Sequence, residues 1–214
     1  GAGIVGRAVE RGLLEWGCVN PRDFAKDRHR KVDDRPYGGG AGMVMKPEPL
    51  SAAIKSVKKT GSHVVYLSPQ GKKFNQAAAK RLSTFKCLVL VSGRYEGIDE
   101  RVSGVFDEEL SIGDYVLSGG ELPALVVADA VARLLPGVLK KRDAVAAESF
   151  SAGGLDFPQY TRPRVWNRRV VPEVLFSGDH QRIARWRSRA ALAATRRKRP
   201  DLLDNQKALM RSGD

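Results

Sequence analysis

The chain has 214 residues, a formal net charge of +13 at pH 7, an apolar fraction of 42% and two cysteines. That is enough chain for one good-sized domain, or one plus a small appendage, and Cys18 and Cys87 are too few and too far apart for a disulfide scaffold or a zinc cluster, which suits a reducing cytosol. The excess of Lys and Arg points to a polyanionic partner, most simply nucleic acid, because these side chains neutralise phosphates and release their counterions; a merely soluble basic protein would carry the same charge. No run approaches the roughly 20 apolar residues of a membrane span, and no charged-then-apolar signal segment opens the chain.

The amino-terminal stretch "GAGIVG", Gly1 to Gly6, matches G-x-G-x-x-G, and Asp23 lies near the spacing of the acid in a dinucleotide-binding fingerprint. The context that fingerprint needs is a preceding strand, and the acid here sits in the polar "NPRDFAKDRHRK". A nicotinamide or flavin site is therefore set aside, and the stretch is read as a loop leading into a helix around Arg7 to Leu14. Because the sequence opens without Met, a true start and a first strand are expected ahead of Gly1.

Further on, "HVVYL" (His63 to Leu67) and "CLVLVSG" (Cys87 to Gly93) are short β-branched apolar runs, the pattern of strands buried on both faces, and "QAAAKRL" between them is a good helix former. This is βαβ logic. The apolar "IGDYVL" reads as a third strand-like run. Gly119 and Gly120 follow it, and "ELPALVVADAVARLLPGVL" reads as a helix opened by Glu121 and Pro123 and closed by Pro136 and Gly137. The fold class expected is α/β with a mostly parallel sheet.

Each strand-like run ends in a turn suited to touching a ligand: Ser68 to Gly71, Gly93 to Gly97, and Ser118 to Gly120. Ligands of open α/β sheets bind in the crevice at the carboxyl ends of the strands, so the three turns define one candidate pocket. The stretch "SIGDYVLSGGELPA" carries acids and no Lys or Arg. Its glycines let backbone groups approach a ligand, and its charge suits a cationic or neutral ligand better than a phosphate.

Residues 151–214 hold 14 Lys and Arg against 6 acids, a surplus of +8 in the smaller part of the chain. Within them, "SGDHQRIARWRSRAALAATRRKR" offers Ser177 and Asp179 as helix caps, then places Ile183, Trp186, Ala190 and Leu192 near helical spacing. A small helical domain with an Arg-covered face is expected, the arginines serving either an RNA backbone or plain solvation. The preceding mixture of charge, paired glycines and spaced prolines reads as a long linker with some order. The division expected is 1–139, 140–168 as linker, and 169–214.

Taken together, "HRKVDDRPYGGGAGMVM", "VVYLSPQGKKFNQ", "VSGRYEGIDERV", "SIGDYVLSGGELPA", "YTRPRVW" and "VLFSGDHQRIARWR" closely resemble the bacterial tRNA (guanine-37-N1)-methyltransferases of the knotted, SPOUT-type methyltransferase superfamily. The matches are long, in order and spread over most of the chain. The family's opening strand would lie before Gly1, and the tail after Leu203 is short against it.

The resemblance implies an α/β domain whose carboxy-terminal part threads into a trefoil knot, a small helical second domain, and a cytoplasmic homodimer with the guanine site shared between subunits. It implies S-adenosylmethionine as cofactor, magnesium assisting, and tRNA as substrate, with no resident metal site readable from these residues. Cofactor contacts carry over to Leu67, Ser68 and Pro69, to Gly93, Tyr95 and Glu96, and to Ile112, Gly113, Asp114, Tyr115, Val116, Leu117, Gly119, Gly120 and Pro123. Glu96 could instead pair with Arg94 or Arg101. His29 and Asp33 correspond to the family's loop near the target nucleotide, where a basic, glycine-rich segment suits a stacked base.

Methylating guanine N1 requires a base for its proton and a cation for charge developing on O6. The family's Arg matches Arg133. Its Asp, just before a Ser-Phe pair, is replaced here by Glu148 in "AAESF", with Asp143 as a second candidate. One extra methylene could displace the carboxylate by about 1 Å, which can cost on the order of a hundredfold in rate. A non-catalytic RNA-binding protein that keeps the fold is therefore the alternative.

Overall fold

The computed structural model describes residues 3–139, 148–151 and 153–204. Asp143 lies outside them. The chain divides into two compact units, Gly1–Lys140 and Lys141–Asp214.

The first unit is built on a three-stranded, wholly parallel sheet in the order β4-β3-β5, with β3 at Ser62–Lys73, β4 at Cys87–Ser92 and β5 at Glu108–Ser111. Successive side chains of a strand point to opposite faces, and the adjacent Val64 and Val65 are both fully buried. Val64 belongs with Leu50 and Ile54 of α2 (Pro47–Val57), while Val65 belongs with Leu82 of α3 (Gln76–Leu82) and Val127 of α4 (Glu121–Ala132). The sheet is thus covered on both faces, and each such valine contributes about 1.5–3 kcal/mol by leaving water.

The helices start where local chemistry tells them to. Asn75 caps α3 by accepting the Ala78 N–H at 2.9 Å. Pro47 opens α2, where its fixed φ is helical and its missing N–H is no loss. An amino-terminal helix, α1, spans Gly3–Glu10, so most of the glycine motif is helix rather than loop, and the helix ends short of Leu14. Asp33–Asp34 (β1) and Val44–Met45 (β2) form a small antiparallel ladder.

Two local expectations are corrected. The third strand is not Ile112–Leu117, which is irregular and reaches 85% exposure at Val116; it is the preceding Glu108–Ser111. Of the acids that disguise it, Glu108 is accommodated by tertiary partners: Arg81 donates two bonds to it at 2.7 and 3.0 Å, and His63 lies 2.7 Å from the same carboxylate. Burial would raise Glu108, yet these hydrogen bonds outweigh it and hold the carboxyl below its ordinary range. Second, Ser68–Gly71 is no turn after the strand. Leu67 and Lys72 both pair with Leu110, so these four residues bulge out of β3 before it resumes. Gly71 permits this, because a Cβ there would stand 2.5 Å from Leu110 N.

In the second unit, Asp179 caps helix α5 (His180–Lys198) by accepting the Arg182 N–H at 3.0 Å. The less exposed stripe of α5 runs through Ile183, Trp186, Ala190, Ala191, Ala194 and Thr195, whereas Leu192 faces solvent. Residues 153–160 lie along this helix: Thr195 Oγ1 accepts the Leu155 N–H at 2.9 Å, Arg187 stacks over Phe157 at 4.7 Å, and Tyr160 leans on Trp186. A hairpin of Val165–Trp166 (β6) and Arg169–Val170 (β7) completes the unit. Among the described residues no helix is long and apolar enough to cross a membrane. Cys87 is half-buried and Cys18 is exposed.

Candidate active site

Register brings the candidate loops together. Leu67 of β3 is the Cα partner of Ser92 on one side and of Leu110 on the other, so the segments that follow all leave the sheet at the same level of its carboxyl edge. The chain reaches β4 on one flank of β3 and then crosses to β5 on the other. After β5 it returns: Gly120 N–H donates to Gly93 O at 2.8 Å, and Arg94 and Gly119 form an antiparallel bridge. The segment 112–120 therefore spans the end of β3.

Close backbone approach is what the glycines provide. A Cβ on Gly120 would lie 2.8 Å from Ser92 Cα and 3.0 Å from Gly93 N, and one on Gly93 would lie 3.0 Å from the Tyr66 hydroxyl. Arg94 Nε donates to Glu121 at 2.6 Å, fastening the second loop to the first turn of α4. Burial would raise the Glu121 carboxyl, but the Arg94 bond prevails and lowers it. Arg101 pairs with Asp99, whose pKa falls to about 2 through the side-chain hydrogen bond from that guanidinium. Neither arginine is thus shown pairing with Glu96, whose side chain instead lies against Gly42.

The rim carries exposed Tyr95, Tyr115, Val116 and Leu117. Tyr95 adopts φ 55, a left-handed conformation uncommon without glycine. Asp114 accepts a bond from Lys73 at 3.0 Å between two exposed side chains. Ile112 and Gly113 follow directly on β5, where buried Ser111 accepts the Gly113 N–H at 3.2 Å. Leu67 is buried, Ser68 and Pro69 sit in the bulge, and Pro123 lies in the first turn of α4.

The remaining candidate residues lie on other elements of the chain. Asp33 pairs with Met45, and Met45 N–H donates to Gly97 O at 3.0 Å, so β2 joins Asp33's ladder to the second loop. His29 is exposed, four residues earlier, in a turn whose backbone N–H donates to Asp27 at 3.0 Å. Arg133 is the carboxy-terminal cap of α4; at 1.5 Å per residue it stands about 18 Å along the helix from its start. Glu148 belongs to the second unit, where its carbonyl accepts the Ser151 N–H at 3.2 Å. Among the described residues no three His, Cys, Asp or Glu side chains are grouped to hold a metal ion.

Three contributors escaped sequence reasoning: Tyr66, whose hydroxyl underlies Gly93 and Gly97; Glu121, read only as a helix opener; and the Met43–Met45 segment. Tyr66 had a visible signal, being the polar-tipped member of an apolar run, two residues before Ser68.

A two-sided parallel sheet whose loops converge on a glycine-rich rim has the build of an α/β enzyme that takes a small molecule at its strand ends. Residues 1–205 match the family described as tRNA (Guanine-1)-methyltransferase TrmD. Relatives named tRNA (guanine-N(1)-)-methyltransferase include one from Pseudoalteromonas translucida, 55% identical over 207 residues (95% of this chain, 81% of the relative). Another, from Dictyoglomus turgidum, is 55% identical over 201 residues (94% and 82%), and one from Pseudomonas aeruginosa PAO1 is 54% identical over 209 residues (95% and 83%). The chain belongs to the tRNA (guanine-1)-methyltransferase family.

Proposed function

We propose that this chain transfers the methyl group of S-adenosylmethionine to N1 of the guanine at position 37 of tRNA, as a cytosolic homodimer whose sites are shared between subunits. The observation that carries the reading is the convergence of 67–71, 93–97 and 112–120 at one sheet edge, within a chain of this family. The return of 112–120 across the end of β3 to Gly93 supports a trefoil knot in this part of the chain.

The rim fits the cofactor in kind. Exposed Tyr95, Tyr115, Val116 and Leu117 offer apolar cover to an adenine, the tightly packed glycines offer backbone donors and acceptors, and Glu96 tolerates a cation. When bound, S-adenosylmethionine supplies an electrophilic methyl on a sulfonium. The chain must then hold guanine N1 in line with it, remove the N1 proton and stabilise O6. Glu148 takes the proton and Arg133 faces O6, each contributing in the manner of general base and electrostatic stabiliser.

A second copy is supported by α4. It is apolar on nearly all sides, and Leu122, Leu125 and Val126 are exposed although a helix of that character is normally buried all round. The helix length between Arg133 and the loops also favours completion of the site by a partner. The basic α5 would grip the tRNA backbone, with His29 and Asp33 near the target nucleotide and magnesium assisting the reaction.

The test is transfer of a labelled methyl group from S-adenosylmethionine to tRNA, beside the same tRNA with adenine at position 37. Label on the guanine tRNA alone bears the reading out. Label on neither, from folded and cofactor-bound protein, refutes it in favour of a non-catalytic RNA-binding protein.

A further inference from the structure

The segment 157–172, "FPQYTRPRVWNRRVVP", contains Arg162, Arg164, Arg168 and Arg169 and no acid. Its hairpin pairs Val165 with Val170 and Trp166 with Arg169. Directly opposed residues of an antiparallel pair project from the same face, so Trp166 and Arg169 share one face and the two valines take the other. All four are exposed, Trp166 at 64%. A ladder of two residues a side is not stable by itself, and a tryptophan left this open adds little to folding.

The turn makes the same point from the backbone. Asn167 and Arg168 have φ of 48 and 60, the left-handed pair that a two-residue hairpin needs. Glycine is the ordinary second residue there. Arginine at that position costs conformational energy, and what it gains is a guanidinium at the tip, next to the Trp166–Arg169 face. Arg164, just before the hairpin, is held over the Phe176 ring at 4.7 Å.

We propose that this hairpin is a nucleobase-stacking element: the Trp166 indole stacks on an unpaired base of the tRNA while Arg168 and Arg169 contact the flanking phosphates. Aromatic faces that accept an unstacked base, with arginines on the adjoining backbone, are the recurrent means of holding single-stranded RNA. A second protein as occupant would call for charge matching of a quite different kind. Arg164 lies 4.0 Å from Glu173, just past the segment, and the excess of arginine over acid in Arg162, Arg168 and Arg169 matches a phosphate chain. This inference rests on the tRNA reading above and assigns it a contact that neither the knot loops nor α5 supplies.

The experiment uses the full chain and an unmodified tRNA transcript, comparing Trp166→Ala, Trp166→Phe and the double variant Arg168→Ala/Arg169→Ala. S-adenosylmethionine binding and circular dichroism serve as checks of folding. Trp166→Ala is expected to weaken tRNA binding about 10- to 100-fold, to raise KM far more than it lowers kcat, and to leave the salt slope unchanged. Trp166→Phe restores most of the affinity. The arginine pair lowers the slope of log K against log salt by roughly 0.7–0.9 per lost phosphate contact.

Wild-type tRNA affinity in Trp166→Ala, or a loss that Phe fails to rescue, overturns the proposal. These outcomes are distinct from failure of the methyltransferase reading, in which wild-type protein itself transfers no label.

Discussion

Replacing Gly120 by Ala separates two opposed effects. Gly120 has φ −80 and ψ 0, a conformation alanine adopts freely, so on backbone grounds the change should stabilise by about 0.4–1 kcal/mol through the unfolded chain. The surroundings say otherwise. The new Cβ would lie 2.8 Å from Ser92 Cα and 3.0 Å from Gly93 N, where ordinary carbon contacts are about 3.5–4.0 Å. Both neighbours are backbone at the end of β4 and cannot swing aside, so the loop must lift by about 0.7 Å and strain the 2.8 Å bond from Gly120 N–H to Gly93 O. Overpacking of this kind costs about 1–3 kcal/mol, which against the backbone gain leaves a net loss of up to about 2.6 kcal/mol and a Tm lower by up to roughly 10 °C. Affinity for S-adenosylmethionine should fall at least tenfold, since the displaced backbone is the proposed cofactor rim. Thermal melts and isothermal titration read the two effects, with Gly104→Ala, which meets nothing within 4 Å, as the comparison that should not lose stability. A Tm at or above wild type in Gly120→Ala, with normal cofactor affinity, refutes the close-approach argument.

Glu148→Gln should lower methyl transfer by about 10²–10⁴-fold while tRNA binding measured by filter retention stays within twofold; unimpaired transfer would move the base elsewhere. Glu108→Gln removes the charged acceptor of Arg81 and His63 and should cost about 1–3 kcal/mol in urea unfolding at pH 7. Because the folded Glu108 carboxyl titrates below its ordinary 4.5, its stabilisation is complete at neutral pH and disappears as pH falls from about that value through the folded one. The urea midpoint of wild type should therefore drop more steeply between pH 5 and 3 than that of the variant, and parallel curves would count against the argument. Leu125→Glu on the exposed face of α4 should shift sedimentation from dimer to monomer with the fold intact; a dimer that persists would place the interface elsewhere.

The two flanking strands of the βαβ unit were legible because both are short apolar runs rich in β-branched residues, and β3 is buried on both faces. β5 was not, because Glu108 and Glu109 look like solvent-facing charge until Arg81 and His63, 27 and 45 residues earlier in the chain, are seen to meet the first of them. α2 went unread behind "KPEP", although Pro47 at a helix start is itself a signal. The hairpin at 165–170 lacked the Asn-Gly pair that usually announces one. For the site, the glycine-bearing segments were visible, but their convergence depends on Leu67 standing level with both Ser92 and Leu110. Only three-dimensional register fixes that. Arg133 and Glu148 are proposed through resemblance alone, since nothing in their local sequence sets them apart from surface charge.

The link between β2 and the second loop has its own consequence. Glu96 N–H donates to Met43 O, Met45 N–H to Gly97 O, and Asp99 N–H to Met45 O, while Gly42, at φ 84, has the Glu96 side chain packed where its Cβ would be. Residues 42–45 and 96–99 are consequently one laminate. A loop graft that exchanged either strip alone would tear three backbone bonds, so a redesign of specificity has to transplant both. By the same token, an inhibitor wedged beneath Glu96 would have to bend the glycine-rich strip as well, and would meet a stiffness that the openness of the rim does not advertise.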